Sequence, residues 1–565
     1  MKFGDIPYVR PDLEQVAAAA AAVFDRFAAA GTFEGQWKAL LEYQALRKPL
    51  SSAAEVATIR HSVDTTDPFY AAEQDFFDEQ RPRLQELNDR LYGLLLGSQF
   101  RAEFEARLGR HFFDRIALEK KVFSPAIMDD LAHENRLVTA YDKLLGGAQI
   151  PFRGETYTLA GLGPFTEADD RGTRRAAQEA SWGFFADNAD ELDRLYDELV
   201  TVRDRMARTL GYPNFVPMGY DRMGRTAFGP AEVERFRAGV LEHVVPLAVA
   251  GAAEQRDRLG LDRLTFYDVP VQFASGNPRP QGDEEWLRAR ARAMYDELSP
   301  ETSAFFRVLL EAEHLDLAQK PGKQPGGYCT FVEGVGLPFI FSNFNGTSAD
   351  VDVLTHEFGH ALQAYLSRDL PLEELRWPTS ESAEVHSMGM EYLAYPWLPT
   401  FFGPDAVKYH YLHQTSNVAF IPYGSLVDAF QHWVYANPDA GPAARKAEWR
   451  RLERQYTPWV DYAGHPFLEE GGRWQRQGHL YWTPFYYIDY CLAQFVAMQI
   501  FLRSETGRPA LWRDYLALCR LGGSVDFLGL LAAGHLESPF DPEVVGRTLA
   551  GIQADIAAID PAALR

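Results

Sequence analysis

Two histidines and a glutamate in the run His356-Glu357-Phe358-Gly359-His360 have the types and spacing that could do chemistry. On a helix, positions four apart lie one above the other, so both imidazoles can converge on a single metal ion. Glu357 falls three residues before His360, which brings its carboxylate near the metal without making it a ligand. That is the placement of a base that takes a proton from a metal-activated water. Two histidines and an acid at these offsets arise by chance roughly 0.05 times or fewer in a chain of this length and composition. The flanking residues predict a helix. Ser348 or Asp350 offers an N-cap, and Val353, Leu354, Phe358, Ala361, Leu362 and Tyr365 supply apolar positions at helical spacing.

A hydrolytic zinc site takes a third protein ligand and leaves a fourth position for water. Downstream, Thr379–Tyr395 reads as a second helix on which Glu384 and Glu391, two turns apart, face the same way. One carboxylate can then bind metal while the other orients a ligand histidine. Glu381 and His386 compete as ligands. Glu381 lies near the helix start, where the dipole alone explains an acid, and His386 stands about 200° around the helix from Glu384. Further on, the stretch from His479 to Tyr490 gathers imidazole and phenol donors. Peptide hydrolysis builds negative charge on the carbonyl oxygen, and a donor aimed there favours the transition state. Tyr487 and Tyr490, three apart, can present both hydroxyls to one cleft, and the neighbouring Tyr486 keeps the choice of phenol open.

The run His356–His360, Ala383-Glu384-Val385 and Glu391 together resemble the thimet oligopeptidase and oligoendopeptidase F family of zinc peptidases, closest to its Pz-peptidase branch. Gly326–Thr330, Pro338–Thr347, Asp352–Thr355 and Pro484–Tyr490 extend the likeness. The resemblance implies a mainly α, zincin-type body with two lobes flanking a deep substrate channel and a small β-sheet beside the active-site helix. It implies one Zn2+ per chain, held by His356, His360 and Glu384, with Glu357 as catalytic acid/base and Glu391 behind a ligand histidine. A histidine upstream of a tyrosine pair serves the oxyanion in such enzymes, which carries onto His479, Tyr487 and Tyr490. The implied substrates are short oligopeptides, cut internally, with tolerance for Pro- and Gly-containing, collagen-like sequences.

Elements that position these residues are legible around them. Asp67–Leu96 carries Phe69, Phe76, Phe77, Leu84, Leu87 and Leu91 near a 3.6-residue period behind an Asp-Pro start. Gln149–Leu159 reads as a hairpin turning at Arg153-Gly154, and Arg171–Leu210 as two amphipathic helices. Gly326–Val332 and Leu337–Phe344 read as paired strands. An exposed strand edge can hold an extended peptide through main-chain hydrogen bonds, which makes Gly326, Gly327 and Tyr328 the expected peptide-contacting residues. Residues 1–190 are expected to form an N-terminal helical lobe and 191–565 the catalytic region.

The whole chain bounds the rest. Its 565 residues include 56 Lys+Arg against 79 Asp+Glu, and the resulting −23 repels nucleic acid and anionic lipid. Three distant cysteines, Cys329, Cys491 and Cys519, argue against a disulfide framework and for a cytoplasmic location. The alanine-rich run Val16–Val23 is flanked by Asp12, Glu14, Asp25 and Arg26, unlike a signal peptide, and no uncharged apolar stretch long enough for a membrane span is evident. No nucleic acid or membrane partner is expected, and the chain reads as a monomer or a homodimer. Two rivals remain: a zinc metallocarboxypeptidase, which needs a cation to anchor the substrate carboxylate, and a non-catalytic helical protein with a vestigial motif.

Overall fold

Helices begin where the sequence places their caps. In the computed structural model, which describes all 565 residues, Asp67 caps Pro68–Leu96 by accepting from the Phe69 and Tyr70 backbone N–H groups. Asp12 and Thr32 do the same for Leu13–Ala29 and Phe33–Val63. Strands β1 (Ile150–Phe152) and β2 (Glu155–Tyr157) form the expected hairpin. Both turn residues, Arg153 and Gly154, have positive φ, the twist a two-residue hairpin needs. Arg171–Asp187 and Ala189–Thr209 are the two amphipathic helices.

The protein is mainly helical, with one three-stranded sheet beside the metal-site helix. Strand β3 (Leu315–Ala318) runs parallel to β5 (Leu337–Phe344), and β4 (Tyr328–Val332) pairs antiparallel with the other side of β5, from Tyr328 opposite Phe341 to Val332 opposite Leu337. The order β3-β5-β4 leaves β4 as an edge strand. The sequence reading missed β3 because four residues with an acid at the second position carry no strand periodicity.

Two large hydrophobic cores form, with four small clusters beside them. The smaller is built by helices between Leu13 and Lys121, with Leu372 and Leu375 added from far along the chain; the larger runs from Val122 to Ile552. The break between cores therefore falls near residue 121 and not at the expected 190/191, because Met128–Gly146 and Arg171–Asp187 give Leu131, Tyr141, Trp182 and Phe185 to the larger core. One long helix is strongly apolar, although Glu242 and Glu254 interrupt it. The helical stretch Pro230–Arg258 reaches a mean hydropathy of 1.3 over an 18-residue window, long and apolar enough by composition to cross a membrane, with only 28% of that window buried. Its second half lines a cavity of about 910 Å³ against Ala406–Ala436 and the C-terminal residues, which accounts for its incomplete burial.

Candidate metallopeptidase site

The helix Ala349–Leu366 carries the paired histidines, and Ser380–Leu393 crosses it. Ser348 stands at the N-cap without a side-chain bond, while Asp350 folds back to accept from the Asn345 and Gly346 backbone N–H groups. The crossing is close because Gly359 has no side chain. A Cβ there would stand 2.5 Å from the His386 carbonyl oxygen and 2.7 Å from the Ser387 Cα. That approach sets Glu384 beneath both imidazoles. Its Oε2 lies 3.2 Å from His356 Nε2 and 3.4 Å from His360 Nε2, and the three donor atoms all lie within 4.8 Å of one another. Donors at about 2.0–2.1 Å around a tetrahedral zinc stand about 3.4 Å apart, so the donor set fits that ion.

Two of the three ligands, His356 and Glu384, are held from behind. His356 Nδ1 meets Glu391 Oε1 at 2.7 Å, which turns Nε2 toward the shared position. Glu391 also meets His413 Nε2 through its other oxygen at 2.8 Å, and Tyr395 Oη contacts His413 Nδ1 at 2.7 Å. Burial works against the charged form of Glu391, but the two imidazoles win and hold its pKa below the usual carboxylate value. Glu384 accepts from Ser387 Oγ on Oε2 at 2.7 Å and from Tyr486 Oη on Oε1 at 2.6 Å. Glu357 is buried, and Oε2 has no hydrogen-bond partner in the protein, as expected of a group reserved for a reacting molecule. Burial raises its pKa, with His356 and His360 opposing the shift. The competing ligands drop out. Glu381 accepts from Thr379 Oγ1, and His386 faces Cys519 Sγ at 3.6 Å.

The oxyanion candidates sit across from this cluster. His479 Nε2 lies 3.1 Å from Tyr490 Oη, and Gln477 Nε2 donates to His479 Nδ1 at 3.0 Å, while Tyr423 Oη donates to Gln477 Oε1 at 3.0 Å. Burial drives the His479 pKa down to about 4, so the imidazole is neutral. With Nδ1 accepting, its proton is on Nε2 and is given to Tyr490, whose own hydroxyl proton stays free to donate. Tyr487 differs from the expectation: its ring packs on Phe420 and Tyr423, and the phenol that reaches Glu384 is Tyr486. The turn before it explains the difference. Phe485 has φ 69°, held by Gln431 Oε1 accepting from its N–H and Arg225 Nη2 donating to its carbonyl, with its ring against Gly219, where a Cβ would come within 2.5 Å. This rotates the start of the helix Tyr487–Leu521 so that Tyr486 faces inward.

Of the three expected peptide-contacting residues, Gly327 alone touches the catalytic cluster: a Cβ there would meet Glu357 Oε1 at 3.4 Å and Val353 Cγ1 at 3.2 Å. Gly326 has φ +96° and its carbonyl accepts from Asn343 Nδ2. Tyr328 turns away, its ring stacked on Phe341 at 4.7 Å, so its side chain packs the sheet and only its backbone remains at the strand edge. Burial, with the Glu357 charge adding to it, raises the Cys329 thiol pKa and disfavours its thiolate. Sequence reasoning missed His413, Ser387, Gln477, Gln431 and Arg225. Ser387 alone carried a signal, one turn after Glu384 on the same helix.

Two crossed helices that bring two histidines and a glutamate together, with a buried free carboxylate beside them in a mainly helical body, define a metallopeptidase of the zincin type. Residues 165–274 and 277–544 match peptidase family M3, and residues 3–123 match the peptidase M3 N-terminal domain. A solved structure described as an oligoendopeptidase F is 48% identical, with 99% of each chain covered and a TM-score of 0.98. PZ peptidase A with an inhibitor is 46% identical over 99% of this chain and 100% of that one, TM-score 0.98. A structure described as an oligoendopeptidase F from Bacillus anthracis is 43% identical, 99% of each chain, TM-score 0.94. The oligoendopeptidase F homolog of Mycoplasma pneumoniae is 25% identical over 258 residues, which are 43% of this chain and 40% of that protein. The chain belongs to peptidase family M3.

Proposed function

We propose that this chain is a zinc-dependent endopeptidase that hydrolyses internal bonds of short oligopeptides, Pro- and Gly-containing collagen-like ones among them. The observation that carries the reading is the donor triangle of His356, His360 and Glu384 beside the unpartnered Glu357 oxygen. Zinc held there would act as a Lewis acid, polarising the substrate carbonyl and acidifying water. Glu357 takes the proton from the attacking water and passes it to the leaving amine. Tyr490, oriented by His479, and Tyr486 are the phenols near the charge that builds on the carbonyl oxygen. An extended substrate adds to the free edge of β4, and the bare Gly327 leaves room for it over Glu357.

One zinc per chain is part of the proposal, as is a cytoplasmic location, which the three unpaired thiols support. Family membership argues against the carboxypeptidase and vestigial rivals. Cleavage mapping of end-blocked peptides of several lengths, with and without chelator, tests the reading. Internal cuts that vanish on chelation and return with zinc are expected; removal of single C-terminal residues alone would overturn it. Glu357→Gln should abolish turnover and keep about one equivalent of zinc, because the substituted residue is not a ligand. Activity near that of the unmodified enzyme would refute the mechanism.

A further inference from the structure

Glu384 has two oxygens, and its surroundings treat them differently. Oε2 faces both imidazoles, 3.2 Å from His356 Nε2 and 3.4 Å from His360 Nε2, and Ser387 Oγ donates to it at 2.7 Å. Oε1 accepts from Tyr486 Oη at 2.6 Å. Glu384 is buried, only 1% exposed, so bulk water does not replace that bond. A carboxylate can bind a metal through one oxygen or through both, whereas a hydrolytic zinc site must keep a position open for water. The partner of Oε1 therefore bears on how many oxygens Glu384 offers.

The same bond limits what Tyr486 can do. A phenol has one proton, and an ionised carboxylate only accepts, so the contact with Oε1 uses that proton. Charge-assisted bonds of this kind are roughly twice as strong as neutral ones, and Tyr486 would have to break one to reach a developing oxyanion. Tyr490 has no such commitment: it accepts from His479 Nε2 at 3.1 Å and keeps its own proton. The backbone supports this division. Phe485, immediately before Tyr486, has φ 69°, a conformation that a bulky side chain holds only under constraint from its surroundings. Arg225 Nη2 donates to the Phe485 carbonyl at 2.5 Å and to Asp489 Oδ1 at 2.6 Å, so one buried cation ties the strained turn to the first turn of the helix that follows.

We propose that Tyr486 is a positioning residue of the metal site: by holding Oε1, it restricts Glu384 to one ligand oxygen and preserves the coordination position that the attacking water needs. Stabilisation of the oxyanion by a phenol then falls to Tyr490, with His479 behind it. Partners of this kind tune a ligand without touching the ion. The inference rests on the zinc-peptidase reading above.

The test loads the protein with cobalt(II), whose visible absorption is strong with four ligands and weak with five, and so reads coordination without turnover. Tyr486→Phe removes one oxygen atom and adds nothing. In that variant the visible band should weaken as Oε1 joins Oε2 on the ion, with about one equivalent of cobalt still bound. Tyr490→Phe should leave the band as it is in the unmodified protein. With zinc, Tyr486→Phe should lower kcat about 10- to 100-fold, the range for partners of ligand groups, with KM little changed. A band that Tyr486→Phe leaves unaltered or strengthens overturns the proposal. So does loss of the metal from that variant, or an equal weakening in Tyr490→Phe. If the peptidase reading is wrong, the unmodified protein cuts no peptide, while the cobalt bands still report on Glu384. If only the positioning role is wrong, peptide is cut and the bands of all three proteins coincide.

Discussion

Glu391 is the residue on which the metal histidines depend without its touching the metal. Its two oxygens bridge His356 and His413, so removing it frees one ring of a zinc ligand and leaves His413 without its carboxylate. Glu391→Ala should weaken zinc binding about 10- to 100-fold, as such supporting partners do elsewhere, measured by chelator competition. Tyr490 makes its contribution at a different moment. Tyr490→Phe should lower kcat by about 10²- to 10³-fold with KM little changed, the effect of losing a donor that acts on developing charge. At this scale the sequence was highly legible for ligands and base, because a helix fixes which residues share a face. It was ambiguous for the tyrosines because Phe485, one residue before the pair, adopts a left-handed backbone that no periodicity announces.

Between elements, the decisive contact is the crossing of Ala349–Leu366 with Ser380–Leu393 at Gly359. Gly359→Ala places a methyl against the His386 and Ser387 backbone, which cannot yield as a flexible side chain would. The helices should separate, Glu384 should leave the imidazoles, and zinc content should fall well below one equivalent. Overpacking of this kind costs about 1–3 kcal/mol, visible as a lower midpoint in urea. An unchanged zinc content would show that the crossing tolerates the methyl. Both helices were readable from their apolar spacing, but their closeness was not, since a glycine inside a helix signals approach only once the partner is known. The strands β4 and β5 were readable as β-branched and aromatic runs between glycines, whereas β3 borrows its conformation from its neighbour.

Across the whole molecule, the helices of the first half reach into the site region. Asp142, on Met128–Gly146, accepts from Trp482 Nε1 at 2.7 Å. Burial raises its pKa to about 7, with Asp78 adding to the shift and the Trp482 bond opposing it. A carboxyl raised in the folded state is protonated in both states at low pH. As pH climbs, the unfolded chain ionises first, so folded-state stability falls between about 4 and 7. Asp142→Asn removes that dependence and keeps an acceptor for Trp482. It should therefore stabilise the protein at pH 8 by on the order of 1–2 kcal/mol, allowing for partial solvent screening, and have little effect at pH 4.5. Urea unfolding at the two pH values measures the difference.

The partly buried helical stretch Pro230–Arg258 also bears on how the chain is made. Its apolar surface faces Ala406–Ala436 and residues near the C-terminus, all of which are synthesised later. At about 5–20 residues per second, a ribosome takes on the order of ten seconds or more to supply even the first of those partners. During that interval a segment hydrophobic enough for a bilayer stands uncovered on the nascent chain, so a fragment stopped before residue 406 should aggregate.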